Sequence, residues 1–239
     1  MASSRLILRL ARFLRVKPIC HLVFKVRFWW FVHIKKRLRS CEDQVAVDGH
    51  QHNLRALKLA RPSDRILWLI QPLTAIDKMM NNPDARVLAI GVRLETDLLY
   101  LAAYGFHPKN IRGMDLLSYS PWVDLGNMHQ MSYADNSWDA VMLGWVLTYS
   151  TEPQKAADEL VRVTKNGGII AIGLTYYPEH VLEEYRKSQG SLMGTTGQIQ
   201  TVADVLKLFE SKVDRIYFNH DVADPARQGP TMVIFSVKK

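Results

Sequence analysis

The 239-residue sequence predicts an α/β domain with a doubly wound, mostly parallel sheet, and three observations support this fold class. From residue 84 onward, short apolar segments alternate with helical patterns, as expected for parallel strands joined by crossover helices. A glycine ends the first of these segments and an aspartate ends the second. Apolar residues make up 48% of the chain and charged residues 23%, which is a globular composition. At this length we expect one large core with an appendage.

The elements of the domain follow a strong turn signal, Asn-Asn-Pro-Asp, at residues 81–84. Strands are expected at residues 86–91, 111–115, 138–146, 169–174, 215–219 and 232–237. Helices are expected at residues 54–59, 66–80 (interrupted by Pro72), 95–104, 178–187 and 202–209. One more helix is expected to begin near Pro153, with Ser150 or Thr151 as its N-cap.

The positive charge of the chain is confined to its beginning. Residues 1–41 contain eleven Lys and Arg and no acidic residue, whereas the other 198 residues contain 20 basic and 23 acidic side chains. We therefore divide the chain into a basic amphipathic arm (1–41), a linker with a helical lead-in (42–83) and the α/β domain (84–239). Since the domain is close to neutral, a broad nucleic-acid surface is not expected. The two cysteines form no metal-ligand pattern, and no metal site is predicted.

The arm has the pattern of basic amphipathic helices. Arginines recur every three to four residues before Pro18, beside a face of leucines and Phe13. Residues 19–34 are apolar and aromatic, but this run is shorter than the roughly 20 residues of a membrane span and contains Lys25 and Arg27. Tryptophans beside basic clusters are typical of a helix lying in the interface of an anionic membrane. This interpretation predicts a peripheral protein on the cytoplasmic face of a membrane.

Other interpretations of the arm remain open. An acid-free, arginine-rich segment that begins Met-Ala-Ser-Ser also has the composition of a transit peptide, which would place the mature chain in an organelle matrix. Alternatively, the arm consists of ordinary amphipathic helices that pack on the domain or on a second subunit. Binding of nucleic acid through the arm is the least favoured interpretation.

Two motifs in the domain are more specific than its general pattern. The first is Gly-Asn-Met-His-Gln-Met-Ser-Tyr-Ala-Asp-Asn-Ser-Trp-Asp at residues 126–139, which leads into the strand and Gly-Trp-Val-Leu-Thr-Tyr at 144–149. The second is Glu-Leu-Val-Arg-Val-Thr-Lys-Asn-Gly-Gly at residues 159–168. These stretches resemble the small-molecule, type 11 group of class I S-adenosylmethionine-dependent methyltransferases, over roughly residues 84–237. The resemblance implies a Rossmann-like sheet with a site at the carboxyl ends of its strands.

The resemblance also implies which residues bind the S-adenosylmethionine cofactor. Asp115, at the end of the second strand, matches the acid that accepts hydrogen bonds from the ribose hydroxyls. Asn127 and Met128 match the residues that contact adenine, the first by its side chain and the second by its backbone N–H. Gly144 and Trp145 match the strand end beside the methionine portion and the substrate.

The turn after the first strand departs from the family pattern. The family usually has several glycines there, because side chains would block the approach of the cofactor, whereas Gly-Val-Arg-Leu-Glu at residues 91–95 keeps only Gly91. We interpret Arg93 as a ligand of the methionyl carboxylate and Glu95 as a ligand of the methionyl ammonium. The alternative is that Glu95 interacts only with the helix dipole and that Arg93 is solvated.

A second departure follows Asp115. Only eight residues separate it from Asp124, so the helix and strand that normally intervene are expected to be short or missing. The aromatic residues of this loop, Tyr119 and Trp122, are expected either to stack on adenine or to close the edge of the core.

No motif identifies the methyl acceptor. Methyl transfer needs alignment of the reactants and exclusion of water, and it needs a general base only when the acceptor is protonated. Tyr149, Tyr176 and His129 are weak candidates for that base, with Tyr177 beside them, and each can equally line the pocket. The sequence predicts an S-adenosylmethionine-dependent methyltransferase for a small or lipid-linked acceptor. The arm is expected to hold the protein at a membrane surface, where it meets this acceptor. The alternative is a methyltransferase-like scaffold or regulator that has lost catalysis, for which the altered turn is the argument.

Overall fold

The computed structural model describes residues 2–41, 57, 62–150, 152–189 and 199–239. Its strands, numbered along the chain, are β1 (Arg39–Ser40), β2 (Val87–Ile90), β3 (Ile111–Asp115), β4 (Leu117–Ser118), β5 (Val123–Leu125), β6 (Trp138–Gly144), β7 (Thr164–Tyr176), β8 (Val213–His220) and β9 (Gly229–Val237). Its helices are α1 (Ala2–Ala11), α2 (Lys17–Trp29), α3 (Leu67–Thr74), α4 (Thr96–Ala103), α5 (Pro153–Val163), α6 (Glu179–Gln189) and α7 (Val202–Phe209).

The main sheet has seven strands in the order β5-β3-β2-β6-β7-β9-β8. The first five of these are parallel to one another, and β9 is antiparallel to both of its neighbours. From β2 the chain first proceeds towards β3 and then returns to the other side at β6, so the switch point lies between β2 and β6. A sheet of this kind opens its binding crevice at the carboxyl ends of those strands. The predicted α/β class is confirmed.

Helices cover both faces of this sheet. Along β2, Val87 and Ala89 belong to the buried cluster that includes α3 and α4, whereas Leu88 and Ile90 belong to the cluster that includes α5 and α7. All four residues are buried, as expected for a parallel strand enclosed between two helical layers.

Two of the predicted helices differ in detail from the structure. The helix expected over residues 66–80 ends at Thr74, two residues after Pro72, and the N–H groups of Ala75 and Ile76 bind carbonyls three residues back. Helix α5 begins at Pro153 as predicted, but its N-cap is Glu152, which makes no side-chain capping bond. Ser150 instead accepts a bond from the N–H of Glu152 at 3.2 Å. The helix predicted at 54–59 and the alternative cap Thr151 lie outside the described residues, apart from Leu57.

The inner face of the arm packs on the domain. The side chains of Cys20 and Phe24 in α2 are fully buried in the core shared with α4. Asp64, in the lead-in, binds Lys17 at 2.9 Å and His21 at 3.0 Å. Although burial acts in the opposite direction, the hydrogen bonds that Asp64 accepts from these and from Tyr100 lower its pKa. This packing agrees with the interpretation of the arm as part of the fold. In the described part of the chain, no helix has both the length and the apolar character needed to cross a membrane.

The connection from β3 to β5 contains no helix, as the short spacing after Asp115 predicted. The strand β5 is present but has only three residues, and it pairs in parallel with β3. The arm covers the region beside this short connection: β1 pairs antiparallel with β4, and the ring of Phe28 lies edge-on to Tyr119 with centroids 4.9 Å apart. Tyr119 is buried. Of the two alternatives for Tyr119, the structure shows a ring that closes the edge of the core.

Candidate functional site

The turn at the end of β2 requires glycine at one position, Gly91. Gly91 has a φ of 77°, and its N–H donates to the carbonyl of Met114 at 2.8 Å. A Cβ on Gly91 would overlap the side chain of Val146. Both the backbone conformation and the close packing therefore require glycine at this position. From Val92 to Glu95 no residue has a positive φ, so the backbone accepts side chains there.

Arg93 presents an unpaired donor inside this turn. Its Nε is buried and has no hydrogen-bond partner among the described residues. Buried guanidinium nitrogens are normally paired, and a carboxylate is the acceptor that their geometry fits best. The interpretation of Arg93 as a carboxylate ligand therefore fits its surroundings.

Asp97, in the first turn of α4, is an acid that the sequence analysis missed. Its side chain is half-buried, and it lies within the electrostatic field of Arg93 and Arg65. Burial raises its pKa to about 7 even though both arginines oppose the shift. Its position in the first turn of the helix predicted to follow β2 was an available signal.

Glu95 points towards the arm. Its carboxylate is fully buried and accepts two hydrogen bonds from the Arg27 guanidinium, each of 2.8 Å. The hydroxyl of Ser120 also donates to it, and its own backbone N–H donates to the hydroxyl of Tyr119 at 3.0 Å. The predicted partner of Glu95 was a cofactor ammonium; its partner in the structure is Arg27. Of the two acids in this turn, Asp97 is the one beside Arg93.

Asp115 lies at the carboxyl end of β3, adjacent to the turn. Its carboxylate is buried and accepts the N–H of Leu117 at 3.0 Å. Burial raises its pKa to about 6, against the effect of that hydrogen bond and of Arg93. The carbonyl of Asp115 accepts the N–H of Gly126 at 3.1 Å, which places the start of the first motif next to it.

The residues that follow Gly126 form a tight local turn. The side-chain oxygen of Asn127 accepts the N–H of His129 at 2.9 Å and lies 2.7 Å from its Nδ1. The other ring nitrogen of His129 lies 2.6 Å from the hydroxyl of Ser150, and the ring is buried. These contacts show His129 linking two loops. Met128, which lies between Asn127 and His129 in the sequence, is half-buried.

The second motif holds the loop that follows this turn. Arg162 donates to the carbonyls of Met131 and Tyr133, each at 2.8 Å, and pairs with Asp135 at 2.7 Å. Glu159 pairs with Arg162 and accepts the N–H of Met131. The Glu-x-x-Arg pattern therefore has a structural role that supports the wall of the crevice.

Trp145, directly after β6, has a strained backbone beside the crevice. Its φ is 61°, a conformation that bulky residues seldom adopt, and its N–H donates to the carbonyl of Gly173 at 2.8 Å. The guanidinium of Arg65 lies 4.3 Å from the centre of its ring, and Trp68 meets it edge-on at 6.0 Å. Ile66 lies so close to Gly144 that a Cβ there would be 2.9 Å from its Cδ1. The lead-in therefore covers this end of the crevice, a contact that no sequence motif indicated.

The three tyrosines considered as bases are placed differently. Tyr149 is exposed, and both Tyr149 and Tyr177 lie within electrostatic range of Arg65. The hydroxyl of Tyr176 donates to the carbonyl of Pro225 at 3.1 Å and is thereby directed towards the loop before β9.

The chain is similar to known methyltransferases. The family model described as a methyltransferase domain matches residues 90–172, which contain the turn, β3, the first motif and the start of β7. These residues are similar to a methyltransferase domain. The chain is also 40% identical over 53 residues to demethylmenaquinone methyltransferase of Renibacterium salmoninarum. That match spans 22% of this chain and 22% of the relative, so it covers about a fifth of the curated protein.

Solved structures share the fold of this chain. A chain in the complex between the Haloferax volcanii Trm112 methyltransferase activator and a methyltransferase has a TM-score of 0.59 at 14% identity, covering 82% of this chain and 98% of that one. The carbon methyltransferase CurJ has a TM-score of 0.58 at 13% identity, with coverages of 82% and 61%. A SAM-dependent methyltransferase from Aquifex aeolicus has a TM-score of 0.51 at 16% identity, with coverages of 77% and 97%. At these identities the likeness concerns the fold.

Proposed function

We propose that this chain transfers a methyl group from S-adenosylmethionine to a small or lipid-linked acceptor at a membrane surface. The observation that carries the proposal is the unpaired, buried Nε of Arg93 beside Asp97, at the end of β2 and next to the buried carboxylate of Asp115. A cation, an anion and a hydrogen-bond acceptor lie there together, which is the set of groups that the amino acid and ribose of S-adenosylmethionine require.

Each of these residues has a distinct role in the proposed complex. Arg93 binds the methionyl carboxylate, and Asp97 takes the methionyl ammonium that the sequence analysis gave to Glu95. Asp115 accepts bonds from the ribose hydroxyls. Asn127 and the backbone N–H of Met128 bind adenine. When bound, S-adenosylmethionine supplies an electrophilic methyl group on its sulfonium sulfur.

The acceptor side of the crevice is bordered by Trp145, Arg65, Tyr149 and Tyr177. The buried ring of Trp145, with Arg65 and Trp68 against it, supplies a wall that excludes water from the strand end. A tyrosine hydroxyl at this border is able to orient an acceptor, and Tyr149 is the candidate best placed for it. Because Tyr176 is directed towards Pro225 and His129 links two loops, we do not propose either as a base.

The outer face of the arm supports the proposed membrane surface. While the inner face is buried on the domain, large apolar side chains remain exposed along the whole arm: Leu6, Ile7, Leu10, Phe13, Val16, Ile19, Leu22, Val26, Trp29, Trp30, Ile34 and Leu38. Exposed basic residues lie among them, and residues 1–41 contain no acid. Soluble monomers seldom expose so many large apolar side chains on one segment, and the basic residues among them are complementary to anionic lipid headgroups.

The buried side of the arm also bears on location. Removing the arm would expose the core around Phe24 and leave the buried carboxylate of Glu95 without its partner. A transit peptide that is cleaved off is therefore disfavoured. We propose that the arm stays in place and holds the chain peripherally on the cytoplasmic face of a membrane, with an amphiphilic acceptor drawn from that surface.

Transfer of labelled methyl groups tests the proposed reaction. The full chain would be incubated with methyl-labelled S-adenosylmethionine and either a total lipid extract or an aqueous metabolite extract, followed by separation into organic and aqueous phases. We expect label in the organic phase with wild type and none with Asp115→Ala. Label that appears only in the aqueous phase would contradict a lipid-linked acceptor. Cofactor binding without any transfer to lipid or aqueous extracts would favour the scaffold alternative.

Vesicle sedimentation tests the membrane surface. We expect wild type to co-sediment with vesicles of phosphatidylglycerol and phosphatidylcholine, and the triple variant L22E/V26E/W29E to remain in the supernatant. Ile216→Glu, which changes an exposed apolar residue of β8, is the matched control and should sediment as wild type does. Wild type that stays in the supernatant and forms dimers in light scattering would show that a second copy covers this face instead.

A further inference from the structure

The arm reaches the cofactor turn through one buried ion pair. Arg27 Nε and Nη2 each donate to one carboxylate oxygen of Glu95 at 2.8 Å, although the two residues are 68 positions apart. The Glu95 side chain is fully buried. Two parallel bonds of this kind fix the orientation of both groups, which a single point contact does not.

The guanidinium of Arg27 is itself held by aromatic rings of two different segments. It lies 4.7 Å from the ring centre of Trp122 in the loop after β4 and 5.2 Å from that of Phe31 in the arm. The bond to Glu95 raises the pKa of Arg27, although burial acts in the opposite direction. The Arg27 guanidinium is therefore held between the arm and the domain.

Glu95 connects the ion pair with Arg27 to the turn that borders the crevice. It is the N-cap of α4, and it lies two residues after Arg93 and two before Asp97. Its backbone N–H is bound to Tyr119, and its carboxylate also accepts the hydroxyl of Ser120. A fixed Glu95 thus limits the backbone positions available to both residues that we assign to the methionyl group.

We propose that Arg27 is a positioning residue for the cofactor site: through Glu95 it holds the turn so that Arg93 and Asp97 face the methionyl group. The inference rests on the proposed function, because it assumes that this turn binds S-adenosylmethionine. Arg27 does not touch the cofactor in this arrangement. The docked arm is therefore part of the machinery for cofactor binding as well as a membrane contact, and undocking it weakens binding.

Two related ligands distinguish a positioning role of Arg27 from a role in stabilising the fold. S-adenosylmethionine has the methionyl carboxylate and ammonium, whereas 5′-methylthioadenosine has the same nucleoside without them. For Arg27→Gln, we expect calorimetry to show the Kd for S-adenosylmethionine rising at least tenfold and the Kd for 5′-methylthioadenosine changing less than twofold. For Arg27→Lys, which keeps the charge but makes fewer hydrogen bonds, the Kd for S-adenosylmethionine should lie between those of wild type and Arg27→Gln. A residue that only stabilises the fold would affect both ligands alike.

Arg15→Gln is the matched control. Arg15 also joins the arm to the domain, since its Nε donates to the carbonyl of Ala103 at 3.0 Å, but that contact lies at the far end of α4 from the turn. We expect wild-type affinity for both ligands. Without any ligand, amide hydrogen exchange at residues 93–97 should be faster in Arg27→Gln than in Arg15→Gln.

The double variant R27Q/E95Q covers the case in which Arg27→Gln leaves a buried charge and does not fold. It removes both charges together, and we expect a folded protein with the same selective loss of affinity. Wild-type affinity for S-adenosylmethionine in this variant would overturn the inference while leaving the proposed function intact. If folded wild type binds 5′-methylthioadenosine and S-adenosylmethionine equally weakly or not at all, the proposed function fails and the inference fails with it.

Discussion

Gly91 and Val146 pack so closely that a side chain on the glycine would occupy the space of the valine. A Cβ on Gly91 would lie 2.9 Å from the Cβ of Val146 and would overlap its Cγ1. Val146 follows β6, so this contact joins the ends of the two strands between which the crevice opens. The glycine is thus retained for a reason internal to the fold, independently of any bound molecule.

Gly91→Ala is expected to destabilise the protein by about 3 kcal/mol, through both the positive φ and the overlap with Val146. Gly105→Ala is the matched control: φ is also positive, at 116°, but no atom lies within 4 Å of the added Cβ. Gly105→Ala should lower the free energy of unfolding by about 1 kcal/mol, from backbone strain alone. Urea unfolding measures both. Equal losses in the two variants would show that the contact with Val146 is not a constraint.

Arg93→Gln is expected to weaken S-adenosylmethionine binding by roughly 10- to 100-fold, because a charge-assisted pair of bonds to the carboxylate is lost. Binding of 5′-methylthioadenosine should not change, since this ligand has no carboxylate. Calorimetry with both ligands makes the comparison. If both affinities fall together, Arg93 supports the turn rather than binding the methionyl group.

Asp97 should make cofactor affinity depend on pH. Its pKa is raised to about 7, and only its ionised form attracts an ammonium, so below pH 7 binding must first remove a proton. We expect the Kd of wild type to rise roughly tenfold from pH 7 to pH 5.5. Asp97→Asn should bind more weakly at pH 7 and show a flatter profile. If the Kd values of the two proteins depend on pH in the same way, a group other than Asp97 causes the pH dependence.

The same carboxyl group also affects the stability of the protein without ligand. Because the pKa of Asp97 is higher in the folded state than the ordinary 3.8, the folded state binds more protons between those values, and stability falls as pH rises through this window. Asp97→Asn lacks this penalty. Its free energy of unfolding relative to wild type should therefore increase by on the order of 2 kcal/mol between pH 4 and pH 8. Urea unfolding at several pH values gives this difference, and a constant difference would contradict it.

Much of the fold could be predicted from local sequence patterns, since long apolar strands and amphipathic helices show their period directly. β3 and α7 have the predicted boundaries. The strand β5 was not predicted, because three residues are too few to show a period and only its pairing with β3 defines it. Helix α3 was predicted too long, because the apolar pattern continues to Met80 whereas residues 75–80 form turns.

The site was harder to predict than the fold. Asp115 could be recognised from its position at a strand end, and Asp97 could have been found from its position in the first turn of the predicted helix after β2. In contrast, the partner of Glu95 is 68 residues away in the arm, and Arg65 reaches Trp145 from 80 residues away, so neither contact leaves a local pattern. The positive φ of Trp145 likewise has no local pattern in the sequence that would predict it.

The most direct measurement is calorimetry of the folded full chain with S-adenosylmethionine at pH 7, for wild type, Asp115→Asn and Asp158→Asn. Asp158 is an exposed acid of α5 and serves as the control. We predict one site per chain in wild type and Asp158→Asn, and an affinity at least tenfold lower in Asp115→Asn. Absence of binding to folded wild type, or equal binding by Asp115→Asn, would contradict the assignment of this crevice as the cofactor site.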